Sequence, residues 1–268
     1  MKICAVQLNL KKCSSNESFY NYLNNEVFRN ISNDTDLIVF PENINLSLLF
    51  VKRPKLSLSF KTIFETIFDK FISAINLSFL LKNEDLEYQK EIILNAFSKL
   101  AKKYNVNIIT GSFYEKTKDG IYNIIYAIDR NGNIIDKAVK KDLVGFEKAL
   151  KMKSKAENKV VNFDFAKVGM CICFDLNDPK YIEKFNCEIL VAPSNGYRPF
   201  PGYPFDYKKE TPQIQRAQEN NFCIIRPYCA GWLGPLYFQG HTMIVDKFGN
   251  VIGKAKSKDK TELVFVVI

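Results

Sequence analysis

Short runs of Ile, Val, Leu and Phe punctuate this chain and alternate with longer stretches of helical periodicity. The runs at 2–7, 37–40 and 106–111 have the apolar, β-branched character of buried strands. Between them, 17–30 and 87–104 repeat apolar side chains at three- and four-residue spacing, which predicts amphipathic helices. A meander follows: strands at 122–129 and 134–139 flank Arg130-Asn131-Gly132-Asn133, whose Asn-Gly suits a tight turn with positive φ at both central residues. Strands are next predicted at 159–163, 167–173 and 188–192, with a helix at 179–185 between the last two. A helix at about 212–220 then precedes strands at 222–227, 241–245, 251–254 and 262–267, with Gly249-Asn250 as a further turn. So many strands with few helices imply sheets stacked face to face and covered outside by helices.

Three segments end an apolar run in one reactive side chain: Glu42 in DLIVFPEN, Lys140 in KAVKKDL and Cys173 in VGMCICFD. Side chains at strand ends gather at the rim of a sheet, where loops build clefts. A carboxylate, an ammonium and a thiol brought together there point to covalent hydrolysis. A free thiol titrates at about 8.5, so Cys173 needs a base as it attacks a carbonyl, and Glu42 can be that base. Two neighbouring acids do not both ionise cheaply in an enclosed site, so thiol and carboxyl should share a proton, with Lys140 partly offsetting the negative charge. The pattern alone leaves Lys141 as an alternative to Lys140. Strand alternation places Cys171 on the same side as Cys173, two residues further back, as a packing residue.

Composition narrows the class. The chain has 38 Lys plus Arg against 29 Asp plus Glu, a net +9, but the basic residues are dispersed and form no aromatic-basic nucleic-acid module. Seven cysteines, an odd number without a C-x-x-C pair, favour free thiols in a reducing cytosol over a disulfide framework. MKICAVQLNL reads as a buried strand rather than a signal peptide, and no window is long and apolar enough to span a membrane. The single histidine, His241, removes most metal sites built on several imidazoles and is the only partner a Cys-His dyad could recruit. At 268 residues without a visible linker, the chain reads as one domain, 1–268.

DLIVFPE, the segment 132–143 and VGMCICFDLNDP resemble the glutamate, lysine and cysteine motifs of the nitrilase, or carbon-nitrogen hydrolase, superfamily. GIYNIIYAIDRNGNII, RAQENNFCII and FQGHTMIVDKFGNVI match in the same order, so the resemblance covers essentially the whole chain. It implies an α+β fold, a four-layer αββα sandwich, usually dimerised through helices. The implied activity is hydrolysis of amide-type carbon–nitrogen bonds of small molecules without metal or organic cofactor. It places the nucleophile at Cys173 rather than Cys171 and the lysine at Lys140. It likens Glu147 to a second glutamate that orients the lysine or substrate, and gives the backbone amide of Phe174 a share of the oxyanion. Cys173-Phe174-Asp175 is similar to amidase-like branches, favouring an amide or carbamoyl substrate over a nitrile.

Two departures stand out. Asn177-Asp178 replaces the usual arginine-phenylalanine, and Asp142 replaces a histidine two residues after the lysine. Substrate-binding walls are expected after Glu42, around Tyr114, and from Asn195 through Phe205. The stretch 44–85 is longer than the family pattern, and KTIFETIFDKFISAINLSFLL within it predicts an amphipathic helical insertion, packed on the body or a dimer interface, closing over an apolar substrate, or resting on a membrane surface. An acyltransferase that passes the thioester to an amine, and a catalytically silent scaffold, are the other functions this pattern allows.

Overall fold

In the computed structural model, residues 1–48, 85–198, 211–234 and 236–268 are described. In chain order the elements are β1 (Lys2–Asn9), α1 (Asn16–Glu26), β2 (Leu37–Val39), α2 (Leu86–Tyr104), β3 (Asn107–Thr117), β4 (Gly120–Ile128) and β5 (Ile134–Val139). There follow α3 (Gly145–Ala149), β6 (Lys159–Asn162), β7 (Lys167–Met170), α4 (Pro179–Ile182), β8 (Ile189–Val191), β9 (Tyr197–Arg198) and α5 (Thr211–Asn220). The rest is all strand: β10 (Cys223–Arg226), β11 (Cys229–Leu233), β12 (Leu236–Phe238), β13 (Met243–Val245), β14 (Val251–Lys254) and β15 (Glu262–Val267).

These strands form two sheets. One runs β5-β4-β3-β2-β1-β11-β12-β9 with β15 added on β1; the other runs β14-β13-β10-β8-β7-β6. β1 has three neighbours because it changes partner along its length: its first residues pair with β2 (Ile3 with Leu37) and its length with β15, while Leu8 and Asn9 pair with Cys229 and Ala230 of β11.

The two-residue alternation of side chains separates four layers. Ile3, Ala5, Leu37, Val39 and Ile109 of the first sheet meet Val168, Met170, Ile189 and Ile225 of the second in the core between the sheets. The opposite faces of the first sheet, Cys4, Val6, Ile38, Phe40 and Ile108, pack on Phe19 and Leu23 of α1 and Ile93, Phe97 and Leu100 of α2. Leu190, Ile224 and Val245 of the second sheet pack on Ile182 of α4 and Ala217 of α5. α2 is long enough for both ends to be specified. The Asp85 carboxylate accepts from the Tyr88 amide at 3.0 Å, and Asn105 closes the helix in the left-handed region at φ 51°.

Most predicted elements are present, with differences at the short ones. The helix expected to 30 stops at Glu26 and continues as a separate 3-10 turn, Phe28–Asn30. The strand expected to 173 stops at Met170. β9, β11, β12 and α3 lie where no element was expected; they have two to five residues each, too few for a period to register. Of the proposed insertion only Ile44–Leu48, a buried 3-10 turn, falls among the described residues; the helix expected beyond it and the wall expected beyond Arg198 lie outside them.

Gly111 sets the approach of β3 to the end of β2. Its φ is +72°, and a Cβ there would stand 2.0 Å from the Pro41 carbonyl oxygen, so a side chain would push directly on the residue before Glu42. Gly111→Ala is expected to lose at least about 2 kcal/mol in thermal or urea unfolding. Gly145→Ala, where a Cβ would meet nothing within 4 Å, should unfold like the parent.

Candidate active site

Glu42 stands just beyond β2, where the chain leaves the sheet. Its amide donates to the Ser194 carbonyl at 3.3 Å, its own carbonyl accepts from the Cys229 thiol at 3.2 Å, and Asn43 turns the chain away at φ 62°. Asn tolerates this left-handed geometry better than most residues. Lys140 directly follows β5 and is fixed by its amide donating to the Asn123 carbonyl at 2.9 Å.

The Lys140 ammonium lies 2.7 Å from Glu42 Oε1 and 2.9 Å from Glu147 Oε2, with the three side chains only 1%, 3% and 0% exposed. Asn123 Nδ2 donates to Glu42 Oε1 at 3.0 Å and to Glu147 Oε1 at 2.9 Å. Since carboxylates only accept, these bonds fix which end of the Asn123 amide faces them. Glu147 lies on α3, and its Oε2 also accepts from the Val144 amide at 2.9 Å, which ties the first turn of that helix to the cluster. Burial opposes the charge on Lys140, but the fields of Glu42, Cys173 and Glu147 outweigh it and hold the ammonium protonated. Burial also pushes the Glu147 carboxyl upward, against the pull of Lys140.

Cys173 opens a 3-10 turn, Cys173–Asn177, after β7, with φ 51°. This overturns the expectation that Cys171 shares its side: the strand has already ended, so alternation no longer applies. Cys171 packs in the outer layer with Leu190 and Ile224, whereas Cys173 lies against the core between the sheets. The turn is held by Asp175, whose carboxylate accepts from the amides of Ile172 at 2.9 Å, Asp142 at 2.7 Å and Lys141 at 3.1 Å. One side chain thus ties the cysteine turn to the segment after Lys140. Burial raises its carboxyl to about 7 even with those three donors.

The Cys173 thiol lies within the field of the Glu42 carboxylate and the Lys140 ammonium. Burial, followed by the Glu42 charge, pushes the thiol up to about 11, while Lys140 and Arg226 pull it back. At neutral pH Cys173 is therefore a protonated thiol beside a carboxylate, not a standing thiolate.

The structure brings Glu42, Lys140, Glu147, Cys173 and Tyr114 together. Tyr114 is fully buried and paired in register with Asn123 across β3 and β4. Lys141 turns away, donating to Asp178 at 2.7 Å and Asp142 at 2.8 Å. Phe174 is 48% exposed at the rim. Asn195 is half-buried, and its side-chain oxygen closes a turn by accepting from the Tyr197 amide at 3.0 Å. His241 stands edge-on to Tyr228, with ring centroids 6.0 Å apart. Sequence pattern assigns no role to Asn123 or Arg226. Arg226 ends β10 on the same rim as Cys173, buried, with Nε donating to Ser194 Oγ at 2.9 Å and the guanidinium over Tyr228. Its one signal was an arginine closing the apolar run CIIR.

The family model for carbon-nitrogen hydrolases matches residues 2–268, and the chain belongs to that family. It is 29% identical over 158 residues to 2-oxoglutaramate amidase of Bacillus subtilis (strain 168), covering 58% of this chain and 60% of that protein. It is 30% identical over 198 residues to deaminated glutathione amidase of Dictyostelium discoideum, covering 63% of each. The chain thus spans about three fifths of these two relatives. Among solved structures it is similar to a mutant of the amidase from Nesterenkonia sp. AN1 with acrylamide added at its active-site cysteine. The TM-score is 0.75 at 14% identity, over 100% of this chain and 93% of that one. This likeness bears out the αββα sandwich.

Because the Glu42 charge raises the thiol, removing it should do the reverse. In Glu42→Gln the Cys173 titration is expected to move below about 11, so the thiolate fraction at pH 7.5 rises and iodoacetamide alkylates Cys173 faster than in the parent. Alkylation rate against pH, with the modified residue confirmed by mass spectrometry, checks the shift.

Proposed function

We propose that this chain hydrolyses an amide or carbamoyl carbon–nitrogen bond of a small molecule through a thioester on Cys173. The observation that carries the reading is the buried Glu42–Lys140–Glu147 set with the Cys173 thiol in the field of its first carboxylate.

The chemistry follows from the protonation states. Glu42 takes the thiol proton as sulfur attacks the substrate carbonyl carbon, so no free thiolate has to form in the enclosed site. The carbonyl π electrons move to oxygen, and the Lys140 ammonium stabilises the oxyanion, with the Phe174 backbone amide as its second donor. Collapse breaks the carbon–nitrogen bond, and Glu42 returns the proton to the departing nitrogen. Ammonia or an amine leaves, and the acyl group remains on sulfur. Glu42 then takes a proton from water, the oxygen attacks the thioester, and the sulfur departs with that proton as the acid is freed. Glu147 holds Lys140 in place, and Asn123 holds both acids. The relatives named for 2-oxoglutaramate and deaminated glutathione, together with a citrullinase of Francisella tularensis 37% identical over 109 residues and 38% of each chain, support an amide or carbamoyl substrate rather than a nitrile.

Residues 1–268 read as one hydrolase domain, since β1 and β15 from opposite ends of the chain pair in one sheet. A cytoplasmic homodimer or higher homo-oligomer is the form we assign, the oligomer resting on the family resemblance. The seven cysteines are free, which suits a reducing compartment, and no helix among the described residues is long and apolar enough to cross a membrane.

Ammonia release from a panel of amides, carbamoyl compounds and nitriles tests the reading. Cys173→Ala is expected to lose at least about 10³-fold in turnover of any substrate found. His241→Ala should keep turnover, because the thiol's partner is Glu42; loss in that variant would favour a Cys-His enzyme instead.

A further inference from the structure

The chain crosses between its two sheets twice near its end, at 239–242 from β12 to β13 and at 255–261 from β14 back to β15. The crossings are tied to each other. The Gly240 amide donates to the Lys258 carbonyl at 2.8 Å, and the Ala255 amide to the Thr242 carbonyl at 2.9 Å. Gln7 of β1 holds the second crossing as well, its side-chain amide donating to the carbonyls of Ser257 at 2.7 Å and Lys260 at 3.1 Å. Where the crossings meet lies a cavity of about 140 Å³, lined by Gln239, His241, Lys254, Lys256, Ser257 and Lys258.

This lining is cationic. KAKSKDK at 254–260 puts a lysine at every second position, and three of the four lysines line the cavity. Neither Lys256 nor Lys258 enters an ion pair among the described residues. The acids of the segment are committed elsewhere: Glu262 accepts from the amides of Lys256 and Ser257, each at 2.9 Å, and Asp259 from the Ser257 hydroxyl at 3.0 Å. Neither acid lines the cavity. Gln239 is the informative part of the wall. It is only 8% exposed, yet its side-chain amide makes no hydrogen bond among the described residues. A polar side chain buried to that extent ordinarily has a partner, and this one leaves two N–H donors unspent.

We infer that this cavity is a binding site for a phosphate group, carried by inorganic phosphate or a small phosphomonoester. The ammonium groups of Lys256 and Lys258 and the Gln239 amide come from both crossings, so they can donate to a tetrahedral dianion from more than one direction. Lysine suits that role as a point charge. A planar carboxylate is held best by the arginine fork, and no arginine lines the cavity. Its volume lies well under the roughly 300 Å³ at which sites for drug-sized ligands begin, and Gly240 and Ala255 are its only apolar lining. The charged group is therefore what the site recognises, not an acyl chain or a base attached to it. The site is separate from the hydrolase chemistry, since none of Glu42, Lys140, Glu147 and Cys173 lines it.

Isothermal titration calorimetry of the full-length protein tests the site, with inorganic phosphate and with glycerol 3-phosphate at an ionic strength held constant by sodium chloride. Saturable single-site binding of at least one of them is expected. Lys256→Gln combined with Lys258→Gln should weaken it at least about tenfold, the scale of losing two charged contacts from exposed side chains. Gln239→Glu, which sets a carboxylate where the amide stood with little change of shape, should abolish it. Thermal unfolding reports folding of each variant, and if Gln239→Glu does not fold, the lysine double variant reads the same constant. A tighter constant for the ester identifies a phosphorylated small molecule as the ligand; any other order identifies the free ion. Absence of binding, or constants unchanged in the folded variants, would overturn the site. Binding to phosphatidylglycerol vesicles that depends on Lys256 and Lys258 and that free phosphate does not displace would overturn it in favour of a membrane surface. Cys173-dependent turnover is measured separately, so the hydrolase reading stands or falls on its own.

Discussion

A lysine buried between two buried acids is the constraint around which this structure is arranged. Moving one ion out of water costs several kcal/mol even after the protein relaxes, so Lys140, Glu42 and Glu147 persist only because each supplies what the others lack. With all three ionised the set carries one net negative charge. A thiolate beside it would make two, in a place with almost no solvent to screen them, which is why burial and Glu42 together push the Cys173 thiol up to about 11. Chemistry follows from that electrostatic limit. In the mechanism we propose, the sulfur gains nucleophilic character as its proton moves to Glu42, so attack and proton transfer are coupled.

Holding that set in register requires ties between elements far apart in sequence. Glu42 leaves β2, Lys140 leaves β5, Glu147 comes from α3, and Cys173 follows β7 of the other sheet. Asn123 joins the two acids, and Asp175 joins the cysteine turn to the chain after Lys140. Asp175 works against its own solvation: burial lifts its carboxyl to about 7, well above an exposed aspartate. As an acid with a raised folded-state value, it makes the fold less stable as pH rises from about 4 through 7, so its ionised form is retained in spite of a stability cost. What it provides is placement of the Cys173 turn.

The parts of this arrangement legible in the sequence are those carried by long periodic segments and by residues closing apolar runs. β5, β14 and β15 have the expected bounds, α2 differs by one residue, and Glu42, Lys140 and Cys173 all stand at run ends. Local pattern failed where the structure leaves regular geometry. Cys171 and Cys173 differ by two positions, so a strand would align them, but the left-handed residue at Cys173 sends them to different layers. Glu147 could not be told from a surface glutamate because α3, five residues long, has no periodicity to show which face is buried. Asn123 and Arg226 acquire meaning only from neighbours on other strands.

The two departures from the family pattern turn out to be one structural feature. Asp142, in place of the expected histidine, and Asp178, in the altered pair after the cysteine turn, both accept from Lys141, the ammonium of which also lies 5.4 Å from the Tyr181 ring centre. Asp178 additionally caps α4, accepting from the Lys180 amide at 3.0 Å. These side chains are 24–32% exposed, so the ion pairs contribute only about 0–1 kcal/mol each. Their effect is geometric: they form a second, outer bridge over the same two segments that Asp175 joins from within. The two changes therefore compensate one another on the scaffold side of the cysteine turn.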